Sequence, residues 1–184
     1  EAADVFALDR RLAVAADLRP GGRNQRREER ECPEGRRYEH DVAATHEALS
    51  LIQAHTKSMS RTKFVMCHGN HEWRIAKAAN DAPALYGKIS LDDLKYAQHG
   101  WEEYPFKSAV EIQGVRFSHF VPSGVMGKPV GGKNQAASML REMHTSFVVG
   151  HSHILDYARQ RSGDDRNIFA ISAGTYGHPQ YEET

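Results

Sequence analysis

Three strand-like runs in this sequence are each followed by a segment that carries histidine, and this pattern constrains the fold more than any other feature. Short runs of this kind, bounded by polar turns, predict buried strands. Side chains that follow the strands of an open α/β sheet collect at its carboxyl edge, where active sites lie. The segments after the three runs hold five side chains able to bind a metal or a phosphate: Asn70, His71, His119, His151 and His153.

The rest of the chain alternates between helical and hairpin signals. Apolar side chains at intervals of three and four predict helices, and short runs joined by turn residues predict paired strands. A capping box at Ser90 and a glycine at position 100 bound one further helix. The glycine-rich residues 122–132 either connect two elements or form a mobile loop over the site. The predicted helices cover residues 41–55, 72–80, 90–99 and 134–143, and the predicted strands cover 63–67, 108–112, 115–120, 147–149, 155–159 and 168–173.

Composition places the chain among soluble, single-domain proteins of a reducing compartment, so we expect it in the cytoplasm. Its 184 residues suffice for one substantial core, and 40% hydrophobic with 26% charged residues is ordinary for a globular protein. The net charge of zero provides no global field for nucleic acid, although a local basic groove is compatible with it. No apolar run approaches the length of a membrane span, so no membrane partner is expected.

The spacing of His151 and His153 carries the strongest local signal for metal. In an extended segment, residues two apart place their side chains on the same side, which presents two ligands together. Local hydrogen bonding is the alternative reading of this pair. A single histidine such as His119 more often serves packing than ligation.

In chain order, residues 69–72, His119 and residues 150–153 resemble three signatures of the calcineurin-like metallophosphoesterase superfamily. Members carry Gly-Asn-His-(Asp/Glu), a lone His and Gly-His-x-His in this order, and the resemblance covers roughly residues 63–174. It implies a single calcineurin-like metallophosphoesterase domain over residues 1–184. The implied fold is a four-layered α/β/β/α sandwich that lacks its N-terminal strand in this chain.

The resemblance also implies a role for each site residue. Asn70, His119 and His151 would hold one metal ion, and His153 would contribute to a second. His71 would not be a ligand; its imidazole would serve the phosphate or the leaving-group oxygen. The implied cofactors are two divalent transition-metal ions, for which a mixed nitrogen and oxygen ligand set fits Mn, Fe, Zn, Ni or Co. Two such ions roughly 3.5–4 Å apart would neutralise the charge of a phosphoester.

The N-terminus departs from the superfamily pattern, which also contains Asp-x-His and Gly-Asp-x-x-Asp. No Asp-x-His occurs in this sequence. Residues 1–4 match the tail of Gly-Asp-x-x-Asp if Glu1 replaces its first Asp. Asp4 would then orient His71, and Glu1 would occupy the position of the bridging ligand, one methylene longer than usual. We therefore expect the domain to begin upstream of Glu1.

These features predict a metal-dependent hydrolase of phosphoric esters. A phosphodiester or nucleic-acid substrate is favoured over a monoester, because five of the six arginines in residues 23–39 could meet phosphates, namely Arg23, Arg26, Arg27, Arg36 and Arg37. The first alternative is a non-catalytic metallophosphoesterase fold kept as a binding scaffold. A single structural zinc ranks last, because Cys32 and Cys67 are not spaced as zinc ligands. The sequence carries no signal for an oligomeric state.

Overall fold

The computed structural model describes residues 38–56 and 62–174, which form a mixed α/β structure with a five-stranded mixed sheet. Over this part of the chain, no helix combines the length and the apolar character needed to cross a bilayer. The helices are α1 (Tyr38–Thr56), α2 (Asn70–Asp81) and α3 (Gln135–Met143), with two 3-10 helices at Leu91–Leu94 and Tyr96–His99. The strands are β1 (Phe64–Cys67), β2 (Trp101–Tyr104), β3 (Val110–Ile112), β4 (Val115–Ser118), β5 (Pro122–Ser123), β6 (Lys128–Pro129), β7 (Ser146–Val149), β8 (Leu155–Arg161) and β9 (Asn167–Ala173).

The described residues divide into two compact units. The first contains Phe64 and the residues before it, together with His71–Glu102. The second contains Val65–Asn70 and residues 103–174. The chain therefore passes from the first unit to the second and back before it forms the five-stranded sheet.

The first unit is built on α1 and the two 3-10 helices. Ser90 and Asp93 form the predicted capping box, in which Asp93 Oδ2 accepts a hydrogen bond from Ser90 N at 2.7 Å. Tyr38 on α1 donates to the same carboxylate oxygen at 2.8 Å. Burial and the neighbouring Asp93 carboxylate both raise the pKa of Tyr38, so its phenol remains protonated and can donate a hydrogen bond. The Nε2 atom of His46 lies 2.9 Å from the Asp93 carbonyl oxygen.

The single helix predicted over residues 90–99 is wrong, because Lys95 interrupts it. Lys95 adopts a left-handed backbone conformation with φ of 50°, and its N–H donates to Asp92 O at 3.1 Å. That conformation stops the i to i−4 ladder and leaves two tight turns of 3-10 helix. Gly100 ends the second turn with φ of 80°, as a C-terminal glycine should.

We expect the Asp93→Ala variant to lose about 2–3 kcal/mol in the free energy of unfolding. The change removes a charged acceptor from two donors, Tyr38 OH and Ser90 N, which both lie in partly buried positions. Urea denaturation of the whole chain measures the loss. Asp92→Ala is the matched control, since the Asp92 side chain is exposed, and its effect should stay under about 0.5 kcal/mol. Equal losses in the two variants would contradict the role of Asp93.

The second unit is organised around the five-stranded sheet, whose strand order is β3-β4-β7-β9-β8. Strands β4, β7 and β9 are parallel, and the outer strands β3 and β8 run antiparallel to their neighbours. Ser118 pairs with Val149, and Val149 pairs with Ser172. The three parallel strands therefore end at the same edge, from which the segments after β4 and β7 both leave. Strands β1 and β2 form a separate two-stranded sheet.

Helix α3 packs on one face of β7, β8 and β9 and forms the main core of the second unit. Met139 and Leu140 on the helix meet Phe147 and Ala170 on the strands, and all four are at most 2% exposed. Full burial of a side chain such as Met or Leu contributes about 1.5–3 kcal/mol. The helix begins at Gln135, and its N-terminus is capped from β8, where Asp156 Oδ2 accepts a hydrogen bond from Ala136 N at 2.8 Å.

Both predicted hairpins are confirmed. Strands β3 and β4 meet at Gln113 and Gly114, whose φ angles of 51° and 79° are the pair that a two-residue type I′ turn requires. Strands β8 and β9 pair over seven residues each, two more than predicted for β8. The glycine-rich residues 122–132 are also partly regular, because β5 and β6 pair there as a small hairpin.

Candidate functional site

Asn70, His119 and His151 meet in the second unit and are called here the Asn-His-His row. His119 Nε2 lies 2.7 Å from Asn70 Oδ1 and 2.9 Å from His151 Nδ1. Asn70 is the first residue of α2, His119 directly follows β4, and His151 follows β7 by two residues. The structure thus brings together the three side chains that the sequence predicted as ligands of one ion.

Backbone hydrogen bonds explain why the two histidines are adjacent. The carbonyl oxygen of His119 accepts from Gly150 N at 3.2 Å and from His151 N at 2.9 Å. These bonds extend the parallel pairing of β4 and β7 by one step beyond the regular strands. Because both segments leave the same edge in register, the imidazole rings are held 4.8 Å apart between centroids.

Aromatic rings form an apolar wall beside the Asn-His-His row. The Phe120 ring lies 5.9 Å from the ring of His119 and 5.3 Å from that of His151, measured between centroids. Phe106 packs edge-on against Phe120 at 5.6 Å. Phe120 and His119 are only 3% and 6% exposed. Water is thereby excluded on this side, which strengthens electrostatic interactions at the row.

The hydrogen-bonding capacity of the Asn-His-His row suits a cation. With the Asn70 amide oriented as described, its oxygen can only accept, and His119 Nε2 carries one proton at most in the neutral ring. A single proton on His119 cannot point fully at both neighbours. A cation would satisfy all three lone pairs, and ligands bound side by side at about 2.0–2.1 Å lie roughly 3 Å apart, close to the two observed separations. The residues present therefore fit one divalent ion.

The other predicted site residues are not members of this row. His153 is exposed on a bend, where Ile154 N donates to Ser152 Oγ at 3.3 Å. The extended geometry expected for residues 151–153 is therefore wrong, and strand alternation does not govern the directions of the two histidines. His71 is the second residue of α2, half-buried and part of the first unit. Glu1 and Asp4 lie outside the described residues, as does most of the arginine-bearing segment 23–39.

The sequence interpretation missed the pair formed by His68 and Glu103. His68 is 8% exposed, and its Nε2 donates to Glu103 Oε2 at 2.8 Å. Its backbone N–H also donates to Tyr104 O at 2.9 Å. Both bonds fix the residue that directly precedes Gly69 and Asn70, so they hold the turn that presents the Asn70 amide. The four residues of β2 are too few for an alternation of apolar and polar side chains to indicate that Glu103 would pair with His68.

Cys67, at the end of β1, is not a reactive thiol. Burial raises its pKa to about 11, and its Sγ lies 3.6 Å from Phe117 O. The thiol is therefore protonated at neutral pH, which makes it a poor nucleophile.

Among residues 38–56 and 62–174, no three His, Cys, Asp or Glu side chains are grouped so that they could hold a metal ion. The Asn-His-His row reaches three metal-ligand atoms only because the amide oxygen of Asn70 joins two histidine nitrogens.

Comparisons of the chain with protein-family profiles, with curated proteins and with solved structures find no match.

Proposed function

We propose that this chain is a metal-dependent phosphoester hydrolase of the calcineurin-like metallophosphoesterase type, folded as a four-layered sandwich. The observation that carries the proposal is the position of His119 Nε2, which lies 2.7 Å from Asn70 Oδ1 and 2.9 Å from His151 Nδ1. Packing alone does not require three Lewis bases to meet. A divalent transition-metal ion such as Mn, Fe, Zn, Ni or Co accepts this mixed donor set.

A bound cation would supply charge neutralisation and polarisation of the phosphoester oxygens. The residues of the Asn-His-His row are neutral when they act as ligands, so they leave the positive charge of the ion uncompensated. The wall formed by Phe106 and Phe120 limits screening by water on one side of the row. Both properties favour an anionic substrate over a neutral one.

His71 is proposed to give a proton to the leaving oxygen, with Asp4 orienting its ring. It follows Asn70 directly in the first turn of α2, and consecutive helical side chains leave the axis about 100° apart. Asn70 and His71 can therefore serve different partners. His153 and Glu1 are proposed as ligands of a second ion.

The proposed substrate is a phosphodiester, and nucleic acid remains within the proposal because of the arginines in residues 23–39. The proposed setting is the cytoplasm. A binding scaffold that has lost turnover is the second candidate, and one observation favours it. Among residues 38–56 and 62–174, no three His, Cys, Asp or Glu side chains form the kind of group that a two-ion site needs.

Metal analysis combined with diester hydrolysis tests the proposal. We expect purified protein supplied with Mn²⁺ to retain the ion through desalting and to hydrolyse bis(p-nitrophenyl) phosphate faster than p-nitrophenyl phosphate. A chelator should abolish the rate, and added Mn²⁺ should restore it. Retained metal without turnover would favour the scaffold, and failure to retain any transition metal would rule out both candidates.

A further inference from the structure

Exposed aliphatic side chains lie on both chain segments that follow the strand ends carrying the Asn-His-His row, namely the β5–β6 hairpin after His119 and the start of β8 after His151. They are called here the aliphatic rim. Large apolar side chains scattered singly over a surface are ordinary, whereas a group of them beside a polar cluster marks a binding surface. The rim consists of Val125, Met126, Ile154 and Leu155, which are 107%, 77%, 50% and 76% exposed.

The first side of the aliphatic rim is the tip of the β5–β6 hairpin. This hairpin starts three residues after His119, and its base is fixed by Val130 N donating to Val121 O at 2.9 Å. Gly124 and Gly127 have φ angles of 63° and 58° and close the turn through a hydrogen bond of 3.1 Å. Such turns favour Gly, Asn, Asp and Pro. Two aliphatic residues at the tip therefore have no local structural reason.

The second side of the aliphatic rim is the start of β8, which lies two strands from β7 and thus roughly 10 Å from it. The Ser152 hydroxyl holds Ile154 through the backbone hydrogen bond described above. Leu155 is fixed by its close approach to Gly174. A Cβ at Gly174 would come within 3.1 Å of Leu155 Cβ, and φ is 70° there, so glycine permits this approach. An octyl chain can span the distance from the row to this position.

Positive charge accompanies the hairpin side of the aliphatic rim. Lys107 has a left-handed backbone with φ of 70°, and a Cβ at Gly127 would lie 3.7 Å from its Nζ. Lys128 is exposed on β6 of the same hairpin. Cationic and aliphatic groups together suit a ligand that joins an anion to a hydrocarbon. Bases of nucleic acids stack on aromatic or guanidinium groups, which none of the four rim side chains provides; the exposed Tyr157 lies two residues further along β8.

We infer that the site takes an amphiphilic phosphoester, whose phosphate lies at the Asn-His-His row and whose hydrocarbon group lies along the aliphatic rim. The inference rests on the proposed function for the position of the phosphate. It narrows the substrate class from phosphodiesters in general to those with an extended alkyl group. Lys107 pairs with the anionic end of that substrate.

Equilibrium binding tests the inference without requiring turnover. Calorimetric titration of the Mn²⁺-supplied protein compares methylphosphonate with octylphosphonate below its micellar concentration. A fully buried methylene improves affinity about fourfold, so even partial burial should make octylphosphonate bind at least about tenfold more tightly. The ratio of the two affinities should fall at least about fivefold in a Val125→Ser, Met126→Ser double variant, and likewise in an Ile154→Ser, Leu155→Ser double variant.

Tyr86→Ser is the matched control, because Tyr86 is 74% exposed but belongs to the first unit, and the affinity ratio should not change in it. Equal affinities for the two phosphonates, or a ratio that survives in both rim variants, would overturn the inference. Binding to anionic phospholipid vesicles without binding to monomeric octylphosphonate would assign the rim to a membrane surface and also overturn it. A retained ratio in a protein that hydrolyses no ester would overturn the proposed function and leave the inference standing.

Discussion

The His71→Ala variant should keep its metal and lose rate by about 10²- to 10⁴-fold, the range typical of a general acid or base. His71 is proposed to protonate the leaving oxygen, and its removal leaves the three donors of the Asn-His-His row intact. Loss of a general acid matters most for a poor leaving group. We therefore expect a large loss with phenyl methyl phosphate and a much smaller one with p-nitrophenyl methyl phosphate.

Steady-state rates with the two esters and metal content from the same preparation test this role together. His55→Ala is a matched control, because His55 is exposed on α1, where its Nδ1 lies 2.8 Å from Leu51 O of the same helix. It should change neither quantity. If His71→Ala sheds metal, or slows both esters equally, His71 is not the general acid.

His119→Ala and His151→Ala should each lower metal affinity by more than about 100-fold. Loss of an outer partner of a metal ligand already costs roughly 10–100-fold in affinity, and these changes remove a ligand itself. His119 has the larger expected effect, since its Nε2 lies within hydrogen-bonding distance of both other members of the row. Competition for Zn²⁺ against a chromophoric chelator measures the affinity directly.

His99→Ala provides the comparison for these variants, because His99 lies in the first unit beside His46, with ring centroids 5.6 Å apart. It should leave metal affinity unchanged. Circular dichroism and urea denaturation of each variant separate ligand loss from unfolding. A similar fall in affinity for His99→Ala would show that the histidines act through folding, and the metal assignment would then be withdrawn.

Much of the second unit could be predicted from sequence because its signals are local. The turn at Gln113 and Gly114 specifies the β3–β4 hairpin through two left-handed residues, and alternation predicts the paired strands β8 and β9. The adjacency of His119 and His151 follows from one rule, namely that parallel strands present their following residues at one edge. That rule needs only the strand ends, which the apolar runs indicate.

Features that depend on distant or unusual contacts could not be predicted. Lysine has no preference for a left-handed backbone conformation, so the sequence did not predict that the helix over residues 90–99 would break at Lys95. The bend at residues 151–154 depends on the Ser152 hydroxyl, which competes with extended pairing through a bond to the backbone. The aromatic wall beside the Asn-His-His row pairs Phe106, which precedes β3, with Phe120, which follows β4. The periodicity of apolar residues within single elements does not predict a contact of this kind.

The cap of α3 has a consequence for the order in which the second unit folds. Asp156 reaches Ala136 N from a strand that is synthesised twenty residues later. A helix of nine residues is marginal in isolation, and without this carboxylate its first turn has one more unsatisfied N–H. The helix therefore gains its final stability only after β8 has emerged and paired. Ribosome-bound chains that end before Asp156 should leave α3 exchanging its amide protons freely, and protection should appear once the hairpin is complete.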